Sequence, residues 1–143
     1  MFMKNLKGSE MKIGIDTGFF VEFLRGNEQA KNVWNGFLAD QNEAVCSAMS
    51  LFEIEKLGLR GMFEKILINQ IIDRILIVCK IVWFDNRALI GLAANMSHGL
   101  GIPAADAIIL ASFINQECRE IYTTDKHLEA YKKKGVHIIN LKI

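Results

Sequence analysis

The chain has 143 residues, enough for one domain with a substantial core. Hydrophobic residues make up 51% of it and charged residues 23%, a composition that excludes a disordered protein. The formal net charge of +1 excludes a global basic field, so a bound nucleic acid would have to be held by a local patch.

Strands and helices alternate along the chain. Short apolar runs predict strands at 12–16, 44–46, 77–84, 121–124 and 136–141. Apolar residues at helical spacing predict helices at 19–25, 28–39, 47–57, 63–76, 86–96, 104–115 and 126–134, with Gly58 ending the third and Asp85 capping the fifth. This alternation is typical of a parallel sheet covered on both faces. We therefore predict an α/β fold with a single doubly wound parallel sheet and helices on both faces.

Neither a membrane span nor a signal peptide is predicted. The most apolar stretch, residues 66–84, is interrupted by polar and charged side chains, whereas a span needs about 20 nearly unbroken apolar residues. Residues 1–10 lack the apolar segment of a signal peptide and are expected to form a flexible extension of a domain at 11–143. The cysteines are odd in number and form no CxxC motif, as in a reducing compartment. The expected location is the cytoplasm.

Two acidic residues, Asp16 and Asp125, each end a predicted strand. Because sites in doubly wound sheets form outside the carboxyl ends of the strands, these two side chains can converge there. Each residue also suits the N-cap of the helix predicted to follow it. The sequence leaves both roles open.

Two further acids, Glu53 and Asp106, lie on predicted helices among apolar neighbours, where a carboxylate is costly unless its charge is compensated. Ser50 and Glu53 fit a capping box, but a helix that begins near Ser47 would place Glu53 in its second turn. Asp106 suits the helix dipole in a first turn, yet its position near a buried surface favours a functional charge. A divalent cation would compensate all these carboxylates, activate water and stabilise phosphoryl transfer. The pattern thus predicts a metal-dependent nuclease.

Four segments around these acids resemble the four motifs of PIN domains. They are Ile15-Asp16-Thr17-Gly18-Phe19-Phe20, Ser50-Leu51-Phe52-Glu53-Ile54-Glu55, Ala105-Asp106-Ala107-Ile108-Ile109-Leu110-Ala111 and Tyr122-Thr123-Thr124-Asp125-Lys126. Their order and spacing, from about Met11 to Leu141, are most similar to the VapC ribonuclease toxins of toxin–antitoxin pairs. The resemblance implies that an acidic cluster holds one or two Mg²⁺ or Mn²⁺ ions, its members being Asp16, Glu53, Asp106 and Asp125. It also implies that Thr123 is the accompanying hydroxyl residue, and that RNA is cleaved to leave a 5′-phosphate and a 3′-hydroxyl.

The same resemblance implies partners. These are a small antitoxin protein and a second copy of the chain in a homodimer, which the mean hydropathy of +0.20 tolerates. Gly18 departs from the family pattern, which usually has Asn or Ser there, and the loss of that polar side chain would weaken support of the metal ligands. Candidate phosphate contacts are Arg25, Arg60, Arg87 and Lys126. The three histidines, His98, His127 and His137, have no metal-ligand spacing, and the carboxylate mechanism needs none of them.

Two alternatives remain open. A PIN-like binding or regulatory module without catalysis is supported only by Gly18. A phosphoacceptor receiver domain also carries acids at strand ends, but it needs a lysine at the end of a later strand. Here Asp125 occupies that place, and Glu53 and Asp106 would be left unexplained.

Overall fold

The computed structural model describes residues 10–142 of the chain. The strands in this part are β1 (Lys12–Ile15), β2 (Glu43–Ser47), β3 (Lys80–Val82), β4 (Glu120–Thr123) and β5 (His137–Asn140). The α-helices are α1 (Thr17–Leu24), α2 (Glu28–Leu38), α3 (Ala48–Leu59), α4 (Lys65–Val78), α5 (Arg87–Leu100) and α6 (Ala104–Asn115). Of the predicted N-terminal extension, only Glu10 lies within the described residues.

All five strands form one parallel sheet in the order β3-β2-β1-β4-β5. The chain builds outward from β1 to β2 and β3, then returns to the other side of β1 with β4 and β5. The strand order therefore reverses between β1 and β4, where Ile15 lies beside Tyr122. A crevice at such a reversal is the usual position of a ligand site in this class of fold. The predicted doubly wound sheet is confirmed.

Helices cover both faces of the sheet and create two separate cores. Phe20, Trp34 and Ile68 belong to the core beneath α1 to α4, whereas Leu89 and Phe113 belong to the core beneath α5 and α6. Alternate residues of a strand face opposite sides of the sheet, so each central strand contributes to both cores.

The packing of β1 against α6 depends on the absence of a side chain at Gly14. Phe113 lies so close that a Cβ added at Gly14 would come within 2.6 Å of its ring. This approach holds α6, which carries Asp106, directly against the central strand.

Several helix boundaries differ from the prediction by a few residues, and two of these differences have a clear structural reason. Helix α3 continues through Gly58 to Leu59, because Gly58 is needed as a small residue against α4: an added Cβ would lie 3.2 Å from Cγ1 of Ile68. Helix α5 is capped by Asn86, whose Oδ1 accepts a hydrogen bond of 2.9 Å from the Leu89 amide, so the predicted cap at Asp85 is wrong by one residue.

The predicted helix at 126–134 is wrong. Only a single 3₁₀ turn forms, at Leu128–Ala130, and Tyr131 after it has an extended backbone. Leu128 is the only buried residue of this segment, and three adjacent lysines follow it. One apolar anchor offers too little burial to stabilise a short helix, and neighbouring like charges oppose it. No helix in residues 10–142 has the length and apolar character needed to cross a membrane.

Candidate active site

Asp16 is both a helix cap and a lining residue of the acidic pocket described below. Its Oδ1 accepts a hydrogen bond of 3.0 Å from the Phe19 amide, and its Oδ2 accepts one from the Thr123 hydroxyl. The side chain is 4% exposed. Burial raises the pKa of Asp16 to about 7, and the negative charges of Asp125 and Glu53 add to this rise against the two hydrogen bonds. The sequence left the cap and the site as alternatives, and the structure combines them.

Thr123 joins the acids at the ends of β1 and β4. It is fully buried, donates its hydroxyl hydrogen to Asp16 and accepts a hydrogen bond of 2.8 Å from the Asp125 amide. The hydroxyl therefore fixes the orientation of Asp16 and the backbone that carries Asp125. Thr123 therefore contacts the Asp16 side chain and the Asp125 backbone, and it does not line the pocket.

Glu53 lies in the second turn of α3. The helix begins at Ala48 and its N-cap is Ser47, whose Oγ accepts a hydrogen bond of 3.2 Å from the Met49 amide. The capping box with Ser50 is therefore not formed. Instead, the Thr17 hydroxyl donates to Oε1 of Glu53, and Ser50 Oγ lies 3.1 Å from Thr17 Oγ1. These contacts aim Glu53 from α3 toward the end of β1.

Asp106 and Asp125 meet across the gap between α6 and the end of β4. The pKa of Asp106 is raised to about 6, first by burial and then by the neighbouring Asp125, while His127 opposes the rise. His127 Nδ1 lies 2.8 Å from Asp106 Oδ2 and 3.2 Å from Asp125 Oδ1. The Asp125 side chain also accepts a hydrogen bond of 2.8 Å from the His127 amide. Asp125 thus stabilises a turn in place of the predicted helix cap.

The four predicted acids line one open pocket of about 360 Å³ at the point where the strand order reverses. They are Asp16, Glu53, Asp106 and Asp125. Within residues 10–142, a tighter group consists of Asp106, Asp125 and His127, each of which offers one ligand atom within 4.8 Å of the others. Asp16 and Glu53 share the pocket but not this tighter group. His127 could not be selected from the sequence, because Asp106 lies 21 positions away on another element and Asp125 lies too near to form a recognisable ligand motif.

Basic side chains line the same pocket. Arg25 and Arg60 were candidate phosphate contacts, and both are lining residues. Arg87 and Lys126, the other two candidates, do not line it. The pocket is completed by two lysines that the sequence analysis did not select, Lys56 and Lys142. An acidic centre with a basic surround suits a polyanion bound beside a cation.

Gly18 makes room for a neighbouring hydroxyl. A Cβ added there would overlap the Thr124 hydroxyl oxygen and lie 2.9 Å from Thr124 Cβ. Both residues line the pocket. The polar group expected at position 18 is therefore replaced in space by Thr124.

Comparison with known proteins identifies the family. The PIN domain family matches residues 13–134, most of the chain. The chain belongs to the PIN domain family. This confirms the resemblance carried by the four acidic motifs. No curated protein sequence matches this PIN domain at a significant level.

Three solved structures illustrate the similarity of fold. One chain belongs to VapBC2 from Rickettsia felis bound to a promoter DNA fragment, with a TM-score of 0.71, 18% identity, and coverage of 91% of this PIN domain and 98% of that chain. A chain of a toxin–antitoxin complex from Klebsiella pneumoniae has a TM-score of 0.68 and 17% identity, with coverage of 90% of this PIN domain and 97% of that chain. A chain of FitAcB from Neisseria gonorrhoeae has a TM-score of 0.64 and 23% identity, with coverage of 91% of this PIN domain and 98% of that chain. At these identities the similarity is one of fold.

The donor set of this PIN domain fits a divalent cation. Carboxylate oxygens are the ligands that Mg²⁺ and Mn²⁺ take in proteins. The raised pKa values of Asp16 and Asp106 have burial as their first cause, and no cationic side chain among the described residues opposes the rise at Asp16. A cation in the pocket would relieve this cost.

Proposed function

We propose that this PIN domain is a Mg²⁺- or Mn²⁺-dependent endoribonuclease that hydrolyses RNA phosphodiester bonds. The observation that carries the proposal is the convergence of four acids, distant in sequence, in one open pocket at the carboxyl ends of β1 and β4. Membership of the PIN family supports the same chemistry, because proteins of this family are in general nucleases. The proposed products carry a 5′-phosphate and a 3′-hydroxyl.

In the proposed mechanism, Asp16, Glu53, Asp106 and Asp125 hold one or two metal ions. When bound, the metal supplies an activated water and stabilises charge on the phosphate. Thr123 is a positioning residue, since it fixes Asp16 and the backbone of Asp125 without entering the pocket. The hydroxyl of Thr17 positions Glu53 in the same way.

The proposed RNA grip is local. Arg25, Lys56, Arg60 and Lys142 line the pocket around the acids, where their charges attract phosphates on either side of the cleaved bond. A net charge of +1 makes such a local grip necessary.

We further propose that the protein is the toxin of a toxin–antitoxin pair and acts on RNA in the cytoplasm. Structures of similar fold are described as VapBC and toxin–antitoxin complexes, which supports a small antitoxin as a partner. Large apolar side chains at the surface, such as Leu59 and Ile77, support protein partners, including a second copy of the chain.

The test is cleavage of a mixed structured RNA pool by the purified chain, with Mg²⁺ or Mn²⁺ against EDTA. We expect metal-dependent cutting by the wild type and by Asp85→Asn, an exposed acid outside the pocket, and none by Asp106→Asn. Cutting that survives EDTA and Asp106→Asn would contradict the proposal. Absence of both cutting and calorimetric metal binding would favour the non-catalytic binding module.

A further inference from the structure

His127 occupies a place beside the acids that the proposed mechanism does not use. Its imidazole contacts one oxygen of Asp106 and one of Asp125, which come from different elements of the fold. The side chain is 55% exposed, so its position is not explained by burial in a core. The Asp125–His127 turn and the buried Leu128 that follows it hold the imidazole at this place.

The spacing of the three side chains suits the coordination shell of a metal. An octahedral ion with ligand distances of about 2.1 Å separates neighbouring ligands by about 3.0 Å. The Nδ1 atom of His127 lies 2.8 Å and 3.2 Å from the two carboxylate oxygens. Both nitrogen–oxygen separations are therefore close to the distance between neighbouring ligands of one cation, and the three ligand atoms all lie within 4.8 Å of one another.

We propose that His127 is a metal ligand together with Asp106 and Asp125, and that this mixed nitrogen and oxygen site selects Mn²⁺ over Mg²⁺. Imidazole nitrogen binds transition metals well, whereas Mg²⁺ prefers oxygen ligands and keeps its waters. The inference deepens the proposed function, since it assigns the metal preference of the same acidic pocket. It adds a ligand that is not an acid to a site otherwise made of carboxylates.

The alternative role of His127 is to donate a hydrogen bond to the carboxylates from outside the metal shell. In that role it would stabilise any divalent cation by the same factor, because it would act only through the acids. A direct ligand affects the transition metal more than Mg²⁺. The ratio of the two affinities therefore separates the two roles.

The experiment is isothermal titration of the purified protein with MnCl₂ and, separately, MgCl₂, for the wild type, His127→Ala and His127→Asn. We expect His127→Ala to raise the Mn²⁺ dissociation constant by roughly 10- to 100-fold, a range reached even by groups that only touch metal ligands. The Mg²⁺ dissociation constant should change by less than about threefold, which is well below the tenfold change that corresponds to about 1.4 kcal/mol. His127→Asn retains a hydrogen-bond donor and should not restore Mn²⁺ affinity. His137→Ala, an exposed histidine on β5, is the matched control and should bind as the wild type does.

A spectroscopic measurement gives a second, independent readout. Pulsed electron paramagnetic resonance of bound Mn²⁺ should detect coupling to an imidazole nitrogen in the wild type and in His137→Ala, and lose it in His127→Ala. Nitrogen coupling that persists in His127→Ala would overturn the assignment, as would equal weakening of Mn²⁺ and Mg²⁺ binding.

Failure of this inference is distinct from failure of the proposed function. Metal binding that is lost in Asp106→Asn but unchanged in His127→Ala would overturn the ligand role of His127 and leave the carboxylate nuclease intact. Absence of Mn²⁺ and Mg²⁺ binding by the wild type would overturn both.

Discussion

A single buried carboxylate, Asp16, makes the metal-free protein sensitive to pH. The pKa of Asp16 is about 7 in the folded chain, against 3.8 in the unfolded chain, so the folded state binds more protons between these values. The contribution of Asp16 to the free energy of unfolding is then fully present below about pH 4 and is lost as the pH rises through 7. A bound cation should suppress this loss, because it compensates the charge that burial opposes.

The corresponding variant is Asp16→Asn. In EDTA at pH 8 we expect it to be more stable than the wild type by on the order of 1–3 kcal/mol, because it removes a desolvated charge, keeps the size of the side chain and keeps one oxygen to accept from the Phe19 amide. Urea unfolding at pH 4 and pH 8 measures the difference. The free energies of unfolding of the wild type and the variant should converge at pH 4. A difference between the two proteins that is the same at pH 4 and pH 8 would contradict the role assigned to burial of Asp16.

Gly18 and Thr124 form a second residue-scale test, because their side-chain volumes exclude each other. Gly18→Ser should destabilise the protein by about 1–3 kcal/mol, the usual cost of overpacking, since the new Cβ overlaps the Thr124 hydroxyl. Adding Thr124→Ala should recover most of this loss. Thermal unfolding of the single and double variants measures the recovery.

Gly91→Ser provides the matched control for Gly18→Ser. Gly91 lies at an exposed position of α5, and a Cβ added there meets nothing within 4 Å. The control should leave stability nearly unchanged. Equal effects of the two serine substitutions would show that steric conflict with Thr124 is not the cause.

The elements of this fold that could be predicted from the sequence are those whose residues are apolar along their whole length. Helix α6 was predicted with its observed bounds, because apolar residues on nearly every face and Pro103 before it specify a buried helix. The acids at the ends of β1 and β4 were also predictable, since strand ends converge in a parallel sheet.

The errors fall where distant contacts decide the local structure. Gly58 looked like a helix end, but its missing side chain admits Ile68 from α4, a contact that the local sequence does not reveal. The segment after Asp125 looked helical, but Leu128 is its only fully buried side chain, with Tyr131 partly buried against the same core. His127 was missed for the same reason, since Asp106 reaches it from another helix.

Leu128 is the anchor of the turn that carries His127. Leu128→Ala should destabilise the protein by about 2–5 kcal/mol, because it opens a cavity in the core beneath α6. The same change should loosen the turn and weaken Mn²⁺ binding, measured by titration below the unfolding temperature. Leu59→Ala, at an 81% exposed position, should change neither quantity. Loss of stability with unchanged Mn²⁺ affinity would show that the turn does not depend on its anchor.

At the scale of the whole molecule, if the protein acts on RNA as proposed, a nearly neutral chain must concentrate its attraction for RNA at the pocket. Lys56→Ala and Lys142→Ala should each weaken binding of a single-stranded RNA to the Asp106→Asn protein. Each should also reduce the slope of log affinity against log salt by about 0.7, the value for one phosphate contact on a single strand. Fluorescence anisotropy at several salt concentrations measures the slope. Lys80→Ala removes an exposed lysine outside the pocket and should leave the slope unchanged. Equal slopes for all three variants would contradict RNA binding by the lysines of the pocket.

The link between Asp16 and Thr123 joins residues 107 positions apart in the chain. A chain under synthesis that has reached only the end of α6 carries three of the four acids, but it has neither Thr123 nor Asp125. The hydroxyl that orients Asp16 and the fourth carboxylate both arrive with β4 and the residues just after it, which are made later than α6. If the protein cuts RNA as proposed, a copy on the ribosome that has not yet reached Asp125 is harmless to the message that encodes it, and activity begins only after β4 has joined the sheet.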